Sequence, residues 1–227
     1  MNDAAEVAKI GQAFRHCADL VRLNDKDRFL ASLFAPAERR IFLFALYAFD
    51  IETARVLNLV HEPMAGNIRL QWWHEAMAGL RPGEADAHPV LTALMHAVEI
   101  AAGGDRSLLT RAVEARQAEL FGEPAVAAAS SIILMAARLL GVEDEILLNV
   151  ADDAGAALTF VSEPRDPDLA RPAYAAFRDR VSRVPVQAKP AFLHLATVPL
   201  RLKHPEAPQW RRQIALMRAA WFGFPKL

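Results

Sequence analysis

Residues 37–61 read Ala37-Glu-Arg-Arg-Ile-Phe-Leu-Phe-Ala-Leu-Tyr-Ala-Phe-Asp-Ile-Glu-Thr-Ala-Arg-Val-Leu-Asn-Leu-Val-His61, and their spacing decides the fold class. Phe42, Leu46, Phe49, Thr53, Val56 and Val60 recur at alternating steps of four and three, which puts them on one face of an α-helix. Leu43, Tyr47, Asp50, Ala54 and Asn58 form a second stripe beside it. A helix that is apolar over most of its circumference belongs inside a bundle, not on its surface. Asp50 is then the residue to explain, because an ionised carboxylate inside a bundle must be paired, hydrated or shifted in pKa. Glu52 follows two residues on, about 200° around the helix, so the two carboxylates do not share a face and form no chelating pair.

The next segment carries Arg69, Gln71, Trp72, Trp73, His74 and Glu75. Adjacent tryptophans point about 100° apart, so one enters the core while the other meets a neighbouring helix. Either they are packing mass, or Arg69 and Trp73 frame a pocket near Asp50, with the Arg69 fork suited to a carboxylate or phosphate. Under the second reading Asp50 and Arg69 meet across the bundle.

The rest of the chain agrees with an all-α fold. Ala, Leu, Arg and Glu dominate, and no run of alternating β-branched residues occurs. The 14 prolines act as punctuation, since proline suits the first turn of a helix and is costly inside it. Pro36, Pro89, Pro124, Pro172, Pro190 and Pro208 each open an apolar-periodic segment. The pattern predicts helices over about 4–24, 27–34, 37–61, 64–80, 89–102, 105–121, 125–140, 143–161, 172–183, 190–203 and 208–222. Residues 81–88 and 162–172 read as loops, and neither is long enough to separate two domains, so one domain over 1–227 is expected. Gly103-Gly104 before Asp105 reads as a helix stop followed by a cap, and Ser130-Ser131 as small-residue helix packing.

Composition excludes several functions. With 26 basic and 27 acidic residues the net charge is −1, so there is no broad positive field for nucleic acid. Cys17 is the single cysteine, which removes a disulfide framework or cysteine zinc site and fits a reducing compartment. The seven histidines lack ligand spacing with a carboxylate and a third partner. The amino terminus lacks the layout of a secretory signal, and the longest uncharged apolar stretch, 125–137, is too short to span a bilayer. A soluble, cytoplasmic chain with at most peripheral contact at the inner membrane is the expectation. Asp152-Asp153 reads as a solvated face or a residual metal-facing pair. Trp221, Phe222 and Phe224, beside Arg218 and Lys226, either cap the core or anchor the chain at a lipid interface.

Three stretches carry a resemblance. Phe34-Ala-Pro-Ala-Glu-Arg-Arg40, Phe44-Ala-Leu-Tyr-Ala-Phe49 and Arg69-Leu-Gln-Trp-Trp73 resemble the squalene/phytoene synthase family, with weaker similarity through 134–141, 155–157 and 211–218. The resemblance implies the all-α isoprenoid-synthase-type helical bundle around a central cavity. Its enzymes join two prenyl diphosphates head to head, using Mg²⁺ held by two aspartate-rich motifs. Aligned on Tyr47-Ala-Phe49, the first motif falls on Ala54 and Asn58, so both ligand carboxylates are missing. The second falls on Ser162, Asp166 and Ala170, with Pro164 and Pro167 interrupting the helix that would present it. Phe49-Asp50-Ile-Glu52-Thr-Ala54-Arg-Val56 is more similar to a non-catalytic branch that includes an assembly factor for respiratory complex I.

Two readings therefore stand. One is a pseudo-enzyme without metal or catalytic residues, binding a respiratory-chain protein or a prenyl lipid, with Tyr47, Asp50, Glu52, Arg69 and Trp73 as cavity candidates. The other is a Mg²⁺-dependent prenyl-diphosphate transferase working with Asp50, Glu52, Asp152 and Asp153.

Overall fold

The computed structural model describes residues 2–60, 62–162 and 166–226. Thirteen α-helices are formed among them, and no strand. In chain order they are α1 (Asn2–Asn24), α2 (Lys26–Ser32), α3 (Ala37–Leu59), α4 (Pro63–Met77), α5 (Pro82–Ala87), α6 (Pro89–Ala102) and α7 (Ser107–Glu119). Then follow α8 (Val126–Leu139), α9 (Ile146–Val161), α10 (Pro167–Val181), α11 (Lys189–Phe192), α12 (Val198–Lys203) and α13 (Gln209–Phe222). The doubly striped segment becomes the central helix α3, which touches α1, α2, α4, α6, α7 and α8. Its residues from Phe42 to Asp50 are all buried, as two adjacent apolar stripes require. Each fully buried Leu or Phe of that run contributes about 1.5–3 kcal/mol relative to exposure. The helix ends one residue before Val60, which takes an extended conformation (φ −114°, ψ 137°); His61 lies outside the described residues.

Small residues set the closest crossing. A Cβ on Gly155 of α9 would lie 2.8 Å from the Ser130 amide nitrogen and 2.9 Å from the Val126 carbonyl of α8. The hydroxyls of Ser130 and Ser131 turn back onto the carbonyls of Val126 and Ala127, so they are satisfied within α8 and leave the approach open. The glycine stop also forms. Gly103 closes α6 with φ 57°, the Gly104 amide reaches back to Val98 O at 3.1 Å, and Asp105 accepts from the Ser107 amide.

Three sequence expectations need correction. The segment 81–88 is not all loop, because α5 forms there and its Glu84 accepts from the Trp72 indole at 2.6 Å. Helix α10 starts at Pro167 rather than Pro172, since Asp166 caps it by accepting from the Asp168 and Leu169 amides with Pro167 in the first turn. Pro172 is exposed inside that helix, so the carbonyl it leaves unpaired meets water. The expected helix 190–203 is broken into α11, a 3₁₀ stretch Leu193–Thr197 and α12. The Pro199 ring forbids an α-helical approach to the carbonyl four residues back, and the tighter 3₁₀ stretch is the accommodation. Pro164, expected to interrupt the second motif, lies outside the described residues.

Candidate functional site

A cavity of about 680 Å³ opens beside α3. Tyr47, Asp50, Leu57 and Asn58 face it from α3, Arg28 from α2, Arg116 and Glu119 from α7, and Ile132 and Ile133 from α8. The far wall is Leu158, Thr159 and Phe160 of α9, with His194 and Thr197 from the 3₁₀ stretch that Pro199 imposes. One side is therefore aliphatic and the other ionic.

The ionic side is a ladder of alternating charges. Asp25 caps α2, accepting from the Arg28 amide at 2.9 Å and from Arg28 Nε at 2.6 Å. Arg28 then donates through Nη1 to Asp50 Oδ2 at 2.6 Å. The other Asp50 oxygen, Oδ1, accepts from Arg116 Nη2 at 3.0 Å, and Arg116 Nη1 donates to Glu119 Oε2 at 2.7 Å. The Asp50 side chain is 10% exposed, and the Arg28 and Arg116 side chains 16% and 13%. Burial works to raise the Asp50 pKa, but the Arg28 and Arg116 charges outweigh it and hold the group at about 2. Burial likewise opposes the charge on Arg28, yet Asp25 and Asp50 push its pKa further up.

Four polar atoms of cavity-lining residues have no hydrogen-bond partner within the described residues: Tyr47 Oη, Arg116 Nε, Thr159 Oγ1 and His194 Nδ1. The Arg28 guanidinium lies over the Tyr47 ring at 4.9 Å. Burial, with the Arg28 charge adding, depresses His194 to about 3, so its imidazole is neutral at pH 7.

Of the residues singled out in the sequence, the structure brings Tyr47 and Asp50 together and disperses the others. Arg69 does not meet Asp50. The buried residues of α4 are Gly66, Leu70, Trp73, Ala76 and Met77, whereas Arg69 is exposed to solvent. Trp73 does not frame the cavity; it is buried edge-on to Phe49 at 5.3 Å and against His88 at 4.9 Å, which is the packing role. Glu52 faces away as the helical phase requires and pairs with His88 at 3.2 Å. Asp153 pairs with Arg180 of α10 and Asp152 is exposed, so neither lines the cavity. Sequence reasoning missed Arg28 and Arg116. Arg28 carried a usable signal, an Asp25 capping residue three positions before it; Arg116, 66 residues from Asp50, carried none.

Residues 21–167, more than half of the chain, match the profile described as squalene/phytoene synthase. The chain belongs to the squalene/phytoene synthase family. Among curated proteins similar to it, "NADH dehydrogenase (ubiquinone) complex I, assembly factor 6" of Homo sapiens is 36% identical over 84 residues, covering 37% of this chain and 25% of that protein. The Rattus norvegicus protein of the same name is 29% identical over 171 residues, covering 70% and 50%. A Drosophila melanogaster homolog is 34% identical over 122 residues, covering 49% and 35%. The chain thus spans between a quarter and half the length of these relatives. The all-helical bundle around a cavity implied by the squalene/phytoene synthase resemblance is the fold observed.

Squalene/phytoene synthase enzymes require Mg²⁺, and the donor set here does not fit it. Ala54 offers no ligand and Asn58 offers a neutral amide. Both oxygens of Asp25 and of Asp50 are already engaged by guanidinium or amide donors. Magnesium needs several hard oxygens in near-octahedral array. Among the described residues, no group of three or more His, Cys, Asp or Glu side chains is placed to hold a metal. Ser162 ends α9, Asp166 is consumed as the α10 cap and Ala170 is buried, so the second motif supplies no site either.

Proposed function

We propose that this chain is a non-catalytic factor in the assembly of a respiratory NADH dehydrogenase, working from the cytoplasmic side of the inner membrane. The observation that carries the reading is the saturation of Asp50. Arg28 and Arg116 take both oxygens of the one acidic group on the cavity-facing stripe of the central helix. Such a ladder ties α2, α3 and α7 together through charge-assisted hydrogen bonds, which suits a structural clamp and leaves no ligand for the metal that prenyl transfer requires. Similarity to proteins named assembly factor 6 supports the same reading.

Two measurements test it. Incubation with farnesyl diphosphate and Mg²⁺ is expected to release no pyrophosphate above background, and turnover of about 1 per second or faster would overturn the reading in favour of a transferase. Deletion of the gene in its host is expected to lower NADH dehydrogenase assembly, seen by native-gel activity staining and restored by the wild-type chain. An unchanged complex in the deletion strain would equally overturn it.

A further inference from the structure

Helix α13 presents an exposed apolar stripe. Trp210, Ile214, Met217 and Trp221 follow steps of four, three and four, so they fall within an arc of about 60° on the helix. All four are on the surface, Trp221 at 77%, and Phe222 beside the stripe is 86% exposed. The opposite face holds the helix to the body, through buried Leu216 and Ala219 and through Arg212, which reaches Asp27 at 3.4 Å. Phe224 continues the attachment, edge-on to Phe177 at 5.0 Å, while the Tyr174 hydroxyl donates to the Pro225 carbonyl at 3.0 Å. The two possibilities left by the sequence are therefore divided: Phe224 caps the core, and Trp221 and Phe222 do not.

The charge around the stripe is one-sided. Between 183 and 226 the sequence has eight Lys or Arg and one acid, Glu206, in a chain whose net charge is −1. Arg211 and Arg218 border the stripe on one side, and Arg211 stacks over the Trp210 ring at 5.5 Å. A groove of about 610 Å³ between α12 and α13 is lined by Lys203, Arg211 and Arg218 together with Trp210, Ile214 and Phe222, and by no acidic residue. Tryptophans with cationic neighbours suit the boundary between headgroups and acyl chains. A 14-residue helix is about 21 Å long, short of the ~30 Å hydrocarbon core, so it lies on a bilayer rather than across it.

We propose that α13 is a membrane-docking helix that seats the protein on an anionic lipid surface, the tryptophan stripe entering the acyl boundary and Arg211 and Arg218 meeting lipid phosphates. The inference rests on α13 alone and stands whether or not the assembly reading holds. The test is co-sedimentation of the full chain with vesicles of phosphatidylcholine containing 30% phosphatidylglycerol, against phosphatidylcholine alone. Binding to the anionic vesicles is expected to be at least tenfold tighter and to weaken with salt. Trp210→Ser with Trp221→Ser is expected to reduce it at least tenfold, and Arg211→Gln with Arg218→Gln to remove the preference for anionic lipid. These side chains are exposed, so circular dichroism should match the wild type. Failure to sediment with anionic vesicles, or sedimentation that the tryptophan pair does not affect, overturns the proposal. A lipid-free dimer that the same tryptophan variant dissociates would place a second copy on the stripe and overturn it as well.

Discussion

Replacing Asp50 with Ala removes the two acceptors that Arg28 and Arg116 share. The magnitude follows from two directions. The folded pKa of about 2 against an ordinary 3.8 corresponds to about 2–3 kcal/mol of preference for the ionised form in the native state. Orphaning a buried charge generally costs about 3–5 kcal/mol, but here each guanidinium keeps another carboxylate, Arg28 with Asp25 and Arg116 with Glu119. The expected loss at pH 7 is therefore near the lower figure, about 2–3 kcal/mol by urea titration. Because the folded pKa lies below the unfolded one, this stabilisation is fully present above about pH 4 and is lost as pH falls toward 2. The gap between wild type and variant should close over that window. Arg116→Met combined with Asp50→Ala should cost less than the sum of the two single changes by about 1–2 kcal/mol. Arg69→Ala, at an exposed side chain of α4, should stay within about 0.5 kcal/mol of wild type. Strictly additive losses at Asp50 and Arg116, or an Arg69 variant as damaged as the Asp50 one, would refute the ladder.

Other perturbations probe other parts of the fold. His194 is held at about 3 against an ordinary 6.5, so the unfolded chain takes up its proton first and stability falls as pH drops below 6.5. His194→Gln should remove a slope of up to about 1.4 kcal/mol per pH unit between pH 6 and 4, measured as the difference in urea unfolding free energy from wild type. Gly155→Ala forces a methyl against the Ser130 and Val126 backbone and should cost about 1–3 kcal/mol, read as a lowered Tm; an unchanged Tm would mean the α8–α9 crossing is looser than observed. Ala54→Asp with Asn58→Asp should restore no pyrophosphate release from farnesyl diphosphate and Mg²⁺, because the second motif still supplies no ligand and Asp50 stays bound to its arginines.

Features that depend on near neighbours were legible in the order of the residues. The double stripe of 37–61 made α3 central, Gly103-Gly104 ended α6, and the absence of alternating β-branched runs made the chain all-helical, since each signal is complete within a turn or two. The same order called for a partner to Asp50, because the cost of an unpaired buried carboxylate is independent of topology. Even local rules competed where two signals were close together: Asp166 with Pro167 began α10 before Pro172 did, and a cap that satisfies two amides, with Pro167 in the first turn, outweighed the cost of Pro172 inside the helix. Which cation meets Asp50 follows from how the helices pack against one another. Arg28 lies 22 residues away and Arg116 66 residues away, while Arg69, also basic and on the next helix, stays exposed. Periodicity says that a helix has a buried side, but the rotation and crossing of two helices determine whose side chains meet. Helix α4 packs with Leu70 and Trp73 in the core and Arg69 exposed, and the cations that reach Asp50 come from α2 and α7.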